Sequence, residues 1–441
     1  MKYDVIYTYI KEEIFKGYIK PGKKLPSIRN ICKKFECSKI TAAKAYGLLI
    51  KDHIIYSVPK SGYYLIENSL NMNNNLDNKS IDFSTSAPDE RILPYKEFQD
   101  CLNQALNLYK GNLISPPSTQ GVENLICTIQ KQLQNYQIFA DKQYIFITAG
   151  SQQAINIFTM MDFPNSKKNV LIEEPTYYGV IESLKLNNIN IIGINRTSKG
   201  LNFYELENIF KHKDIKFFYI IPRFHNPTGF SYSNSEKKQI LKLCQKYNVY
   251  IVEDDYLADL DIERKSDPIY ALDPYSKVIY LKTYSKVLLP GLRISAIVLP
   301  KEILKTFGKY KKWNDLSTSV LSQGALEIYI KSGMFDIHTK KLREVYSKRM
   351  ACLNKCVKTC YNSNIIWHVP PSGFFASFEV VNSTHIDYII NGLKSKNILL
   401  TDPNIFYLNT NVPKKLVRLS VSRTNTFEIQ KGINKICTII K

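Results

Sequence analysis

What is missing narrows the choices first. The 441-residue chain has no uninterrupted apolar run near the roughly 18 residues that a membrane helix requires. Its first residues, MKYDVIYTYIKEEIF, carry acids where a secretion signal would be apolar, so a cytoplasmic protein without a membrane partner is expected. Acids are in deficit: 39 Asp and Glu face 60 Lys and Arg, a formal net charge of +21. Cysteines number nine, an odd count that argues against a closed disulfide framework and for reduced thiols. Three of these, Cys352, Cys356 and Cys360, share one stripe of a predicted helix, but their spacing is no common zinc or cluster pattern and reads as packing. With 44% hydrophobic and 22% charged residues, wholesale disorder is excluded, and the length predicts two or three domains.

The surplus of positive charge is uneven. Residues 1–66 hold thirteen Lys and Arg against five acids, +8 of the total +21 in 66 of 441 residues, which suits a polyanionic partner. Val5, Ile6, Tyr9, Ile10 and Ile14 recur there at helical spacing, and Gly17 with Pro21-Gly22 closes that helix. Ser27 is placed to cap a second helix carrying Ile28, Ile31 and Phe35 inward; Ser38 is placed to cap a third through Ala42, Ala45, Leu48 and Leu49. Residues 54–58 and 63–66 read as strands joined by the turn Pro59-Lys60-Ser61-Gly62. Three helices and a basic hairpin make a winged helix-turn-helix over residues 1–66. ENSLNMNNNLDNKS, residues 67–80, is Asn-rich and aperiodic and reads as a linker. Over residues 81–441, apolar runs such as YIFITAG, VLIEEP, IKFFYIIP and VYIVEDD alternate with helical stretches. This predicts an α/β domain with a mainly parallel sheet, then a smaller C-terminal α/β lobe past about Pro300.

Chemistry concentrates in YLKTYSKVLLPGLRIS, residues 280–295. Lys286, a lysine able to form an imine, follows a predicted strand amid Thr283, Ser285 and Arg293, whose hydroxyl and guanidinium groups suit a phosphate. Ala149-Gly150-Ser151-Gln152-Gln153 leads from a strand into a helix start, where backbone N–H groups face an anion. Glu174-Pro175-Thr176-Tyr177 ends another strand, and His225-Asn226-Pro227-Thr228-Gly229 is a tight turn. Glu253-Asp254-Asp255-Tyr256 lies at a strand's carboxyl end, where open α/β sheets bind ligands.

Together, and in this order, the segments resemble fold-type I aminotransferases of class I/II, which use pyridoxal 5'-phosphate. The resemblance implies a cofactor site of Gly150, Ser151, Gln152, Tyr177, Asn226, Asp254, Tyr256, Thr283, Ser285, Lys286 and Arg293. Tyr177 would stack on the pyridine ring, Asn226 and Tyr256 would face the phenolic oxygen, and Asp254 would pair with the ring nitrogen. Lys286, Asp254 and Tyr256 form the implied catalytic set. Arg418, on a late strand, matches the residue that clamps a substrate α-carboxylate, with Arg423 in reserve. The acids Glu253, Asp254, Asp255, Asp259 and Asp261 admit a cation site as a rival reading; no metal is expected, because the other motifs account for Asp254 without one.

Residues 17–29, GYIKPGKKLPSIR, resemble the G-x-x-x-P-G-x-x-L-P-S-x-R signature of GntR-type winged helices. This resemblance implies contacts to double-stranded DNA by Arg29, Ser38, Lys39, Thr41, Lys60, Ser61 and Gly62. A GntR winged helix joined to an aminotransferase-like domain is the architecture of the MocR subfamily of regulators. It implies a homodimer that binds an operator and senses an amine or amino acid by imine exchange at Lys286. The alternative is a catalytic aminotransferase acting on an amino acid and a 2-oxo acid. Two departures matter. Pro116 stands where members of the family have a Tyr that reaches the cofactor phosphate across the dimer, so that anchoring is expected to be weaker or moved. Asn226-Pro227-Thr228-Gly229 is closer to the turn of a working transaminase.

Overall fold

The computed structural model describes residues 2–20, 22–52, 54–58, 61–65, 80–114, 118–261, 266–360, 362–381, 386–408 and 416–440. Two compact units divide the chain, 1–79 and 80–441. Lys60, residues 67–79 of the expected linker and Pro116 lie outside the described residues.

In the first unit, α1 (Lys2–Phe15) buries Ile6, Ile10 and Ile14, which form one row along the helix. Val5, grouped with them by sequence, is 58% exposed, because one residue rotates a helix by about 100°. The starts of α2 (Ile28–Phe35) and α3 (Lys39–Lys51) follow from cap chemistry. The Ser27 hydroxyl accepts the Asn30 N–H at 3.2 Å, and the Ser38 hydroxyl accepts the Thr41 N–H at 3.2 Å. Each satisfies an amide that the first helical turn leaves without a partner. Between the helices, Glu36 takes a left-handed φ of 45° that ends α2. The buried face of α3 is Ala42, Ala45, Tyr46 and Leu49; Leu48 is only half-buried. β1 (Ile55–Val58) and β2 (Gly62–Leu65) pair antiparallel, Ile55 beside Leu65 and Val58 beside Gly62. Gly62 has φ +126°, and an added Cβ would lie 2.9 Å from Lys24 Cε, so this position needs glycine.

The second unit opens with the short strand β3 (Ile81–Asp82). Its main sheet contains β4 (Ile145–Thr148), β5 (Asn169–Glu174), β6 (Ile191–Thr197), β7 (Gly200–Leu201), β8 (Ile215–Ile220), β9 (Tyr250–Asp254), β10 (Val278–Thr283) and β11 (Ser295–Val298). Their spatial order is β4-β11-β10-β9-β8-β5-β6-β7. The pairings from β10 through β9, β8 and β5 to β6 are parallel. β11 runs antiparallel to both neighbours, and β7 runs antiparallel to β6. The sheet is therefore mixed toward its edges. β10 and β11 are joined by residues 284–294 alone, too short a stretch for a helical crossover, so the chain turns back beside itself. Strands β8 to β11 are buried along their whole length, as continuous apolar runs require.

A smaller lobe follows, built on the 26-residue helix Met334–Thr359. It includes β12 (Ile365–His368), β13 (Phe375–Val380), β14 (Ile398–Leu399) and β15 (Leu416–Ser420). β12, β13 and β15 form an antiparallel sheet, whereas β14 pairs parallel with β3. Cys352 and Cys356 lie on the long helix and Cys360 caps it; all nine cysteines are free thiols. Among the described residues, no helix is long and apolar enough to cross a membrane.

Candidate functional site

The carboxyl ends of β4, β5, β8, β9 and β10 deliver residues to one cavity of about 210 Å³. Its walls are Ser151, Gln152, Tyr177, Ile221, Asn226, Asp254, Tyr256, Thr283, Ser285, Lys286, Pro290 and Arg293, joined by Thr85, Ser86 and Ala87 from just past β3. Of the cofactor-site residues singled out by sequence, Gly150 alone is not a wall. It sits behind, with φ +81°, where an added Cβ would be 2.6 Å from Arg293 Nη2. Glycine there lets the helix Ser151–Met160 begin directly against the guanidinium.

Lys286 stands in the turn between β10 and β11. Its Nζ donates to Ser86 Oγ at 2.9 Å and to the Ser86 carbonyl at 3.2 Å. Burial pulls its pKa down to about 8, assisted by the charges of Arg418 and Arg293 and opposed by Asp254. A lysine so depressed carries a usable fraction of free amine near neutrality. Asp254, at the end of β9, accepts the Tyr219 hydroxyl at 2.7 Å on Oδ2, while its buried Oδ1 has no partner. Burial raises this carboxyl to about 6; the Tyr219 hydrogen bond opposes the rise and Asp255 adds to it. Buried Ser285 Oγ is likewise without a partner. The Tyr177 hydroxyl donates to Gln152 Oε1 at 3.2 Å, and the Tyr256 hydroxyl donates to the Phe224 carbonyl.

Arg418 projects from β15 between the rings of Phe375 and Phe406, 4.7 and 4.9 Å from their centres. It donates to Asn226 Oδ1 and Thr401 Oγ1, both at 2.9 Å, and to the Ser84 carbonyl. Those acceptors are uncharged, its buried Nε has no partner, and burial lowers its pKa to about 10. A carboxylate arriving here would meet an unneutralised guanidinium. Arg423, the reserve candidate, is exposed and turned onto the Pro88 carbonyl.

The other acids of the β9 end face donors of their own. Glu253 accepts the Ile269 and Tyr270 N–H groups, and Asp255 accepts Arg223 and Tyr280. Asp261 pairs with Arg223, and Asp259 pairs with Lys282 at 2.6 Å. Among the described residues no cluster of ligating side chains is assembled for a metal.

Sequence reading missed Tyr219, Ser84, Ser86 and Thr401. Tyr219 lies in an apolar strand and reads as core; the serines lie outside every motif, and tertiary pairing, beginning with β3 beside β14, carries them to the cavity. Segment 84–89 is held by Asp89, whose carboxylate accepts Arg91 at 2.8 Å and Arg349 at 2.6 Å, while Arg349 also donates to the Ser422 carbonyl.

In the first unit, Arg29, Ser38 and Lys39 are exposed and Thr41 is half-buried. The Ser38 and Thr41 hydroxyls bond each other at 2.9 Å, and the Ser61 hydroxyl bonds that of Tyr64 at 2.6 Å.

An unpartnered carboxylate oxygen, a low-pKa lysine, and a hydroxyl and guanidinium at a helix start suit a group with a basic ring nitrogen, an aldehyde and a phosphate. Pyridoxal phosphate has all three. Fold and site thus define a class: an aminotransferase-type α/β unit behind a winged helix-turn-helix. Comparison with known proteins gives the family. Residues 71–436 match the family described as Aminotransferase class I and II, and residues 2–65 match Bacterial regulatory proteins, gntR family. The chain belongs to the aminotransferase class I and II family and carries a gntR-family DNA-binding unit in front of it, which is the MocR-type regulator architecture.

It is 39% identical over 436 residues to the uncharacterized HTH-type transcriptional regulator YcxD of Bacillus subtilis, covering 98% of each chain. It is 24% identical to the HTH-type transcriptional regulator NorG of Staphylococcus aureus, over 95% of this chain and 99% of that one. The crystal structure of Pyrococcus horikoshii kynurenine aminotransferase in complex with PMP matches with a TM-score of 0.76 at 26% identity, over 82% of this chain and 91% of that one. With this architecture the chain is a DNA-binding transcriptional regulator.

Proposed function

We propose that the regulator binds pyridoxal phosphate at Lys286 and reads the concentration of an α-amino acid through it. When bound, the cofactor supplies an aldehyde that condenses with primary amines and a ring that withdraws electrons. Thr283, Ser285, Arg293 and the start of the Ser151–Met160 helix would hold its phosphate. Asp254 Oδ1 would take the ring nitrogen, with Tyr219 keeping the other oxygen occupied. Tyr177 would flank the ring, and the Asn226 amide N–H and the Tyr256 hydroxyl would donate to the phenolic oxygen. Arg418 would bind the effector's carboxylate, so amino acids outrank simple amines. Lys286 would yield to the effector's amine, and the altered site would bias a homodimer whose two winged helices span paired half-sites in cytoplasmic DNA.

The observation that carries this reading is the coexistence, in one cavity, of a buried lysine with a lowered pKa, the unsatisfied Asp254 oxygen and an unneutralised Arg418. The complete residue set also keeps the aminotransferase alternative in play, and turnover separates the two. The test is absorbance titration of the cofactor-loaded chain with amino acids and amines, beside binding to duplex DNA from upstream of its own gene. A spectral change with one amino acid that also shifts DNA affinity, without repeated conversion of a 2-oxo acid, supports the sensor. Sustained conversion with no effect on DNA favours the enzyme.

A further inference from the structure

Ile40 is out of keeping with the rest of α3. The helix turns Ala42, Ala45, Tyr46 and Leu49 into the core and leaves Lys39, Ile40, Ala43, Lys44 and Gly47 outside. Ile40 is 82% exposed, a branched aliphatic side chain standing in water on the first turn. The helix, KITAAKAYGLLIK, contains no Arg, Asn or Gln, so of the side chains that pair with guanine or adenine edges it holds only lysine. The Ser38 and Thr41 hydroxyls are engaged with each other in the cap. Lys44 is drawn aside, its Nζ 4.1 Å from the centre of the Tyr3 ring on α1. The first turn therefore offers a groove one cation, Lys39, and one bare apolar group, Ile40.

We propose that Ile40 reads the 5-methyl group of a thymine in the major groove, while Lys39 meets an adjoining phosphate. The inference rests on the DNA-binding role of residues 1–66 and adds which base feature is recognised. Thymine alone offers a methyl group there. Isoleucine pressed against the amino group of cytosine or adenine would strip a donor of water without replacing the hydrogen bond. The chemistry selects an A·T pair beneath Ile40 in each half-site.

The experiment uses the full chain and the tightest duplex recovered from a random-sequence pool, with each thymine replaced in turn by deoxyuridine, which lacks only the methyl group. In the wild type, one thymine position per half-site should lose roughly fourfold in affinity, the effect of one buried methyl group. Ile40→Ala should bind more weakly and be indifferent to the methyl at that position, with an unchanged slope of affinity against salt. Ile40→Val should keep most of the methyl preference, and both variants should melt with the wild type because the side chain stands in water. If wild type and Ile40→Ala respond alike at every thymine while still selecting a sequence, this inference falls and the regulator stands. Recovery of no preferred sequence overturns both.

Discussion

The residues assigned to DNA and those assigned to the small ligand live in opposite environments. Arg29, Lys39 and Ile40 stand in water on a small helical unit whose core is Ile6, Ile10, Ile31, Tyr46, Leu49 and their neighbours. Asp254, Asn226, Thr283 and Arg418 are buried by the carboxyl edge of an eight-stranded sheet, and two of their polar atoms, Asp254 Oδ1 and Arg418 Nε, lack partners. Exposed contacts act separately and are screened by salt, so each is worth little and can be exchanged without harm to the fold. Buried, unsatisfied groups hold their full desolvation cost until a ligand arrives. The first unit is suited to changing its target by surface substitution; the second is fixed to one chemistry.

Four variants sharpen that contrast. The largest effect is expected for Lys286→Ala. Covalent capture of pyridoxal phosphate, trapped by borohydride and read by mass, should be abolished, while cofactor-free DNA affinity stays within about twofold. A surviving adduct would move the site elsewhere. Arg418→Ala should lower the response to amino acids ten- to hundredfold, the worth of a charge-assisted pair, and leave simple amines nearly unaffected. Equal losses for both ligand types would deny Arg418 the carboxylate.

Asp254→Asn probes the burial directly, in the cofactor-free chain. The folded carboxyl titrates near 6, above its unfolded value, so its contribution to stability is complete below about pH 4 and is lost as the pH rises through 6. Asparagine carries no such loss. The variant should therefore unfold with the wild type at pH 4 and be more stable at pH 8, by about 3 kcal/mol. A stability difference independent of pH would contradict the assignment. The smallest effect belongs to Lys39→Ala, which should weaken operator binding a few-fold and reduce the slope of log affinity against log salt by about 0.9, one phosphate.

What was legible in the sequence was what a short stretch of backbone carries by itself. The serine caps of α2 and α3, the Gly62 turn, the Lys286 segment and the acid-tipped β9 each announce a local shape. The structure places the Lys286 segment and the tip of β9 around one cavity. Partners supplied by tertiary pairing were not legible. Tyr219 reaches Asp254 from the neighbouring strand, and Ser86 reaches Lys286 across 200 residues of chain. Nor was the reversal of β11, because strand periodicity records burial and not direction. Ile40 was not singled out, because only the fold shows how far it stands in water.

The turn that holds Lys286 has a consequence for motion. It springs from β10, which is paired on both sides and buried at every residue, and returns into β11, also paired on both sides. Amide protons of these strands should exchange with solvent only when the whole unit opens. The lysine's backbone is thus a fixed post, and a ligand acts by changing what its amine holds. In the free chain the amine holds Ser86, six residues along the chain from Ser80, where the second unit begins. Deuterium uptake that changes with ligand should therefore appear first in residues 84–89, against a silent β10 and β11.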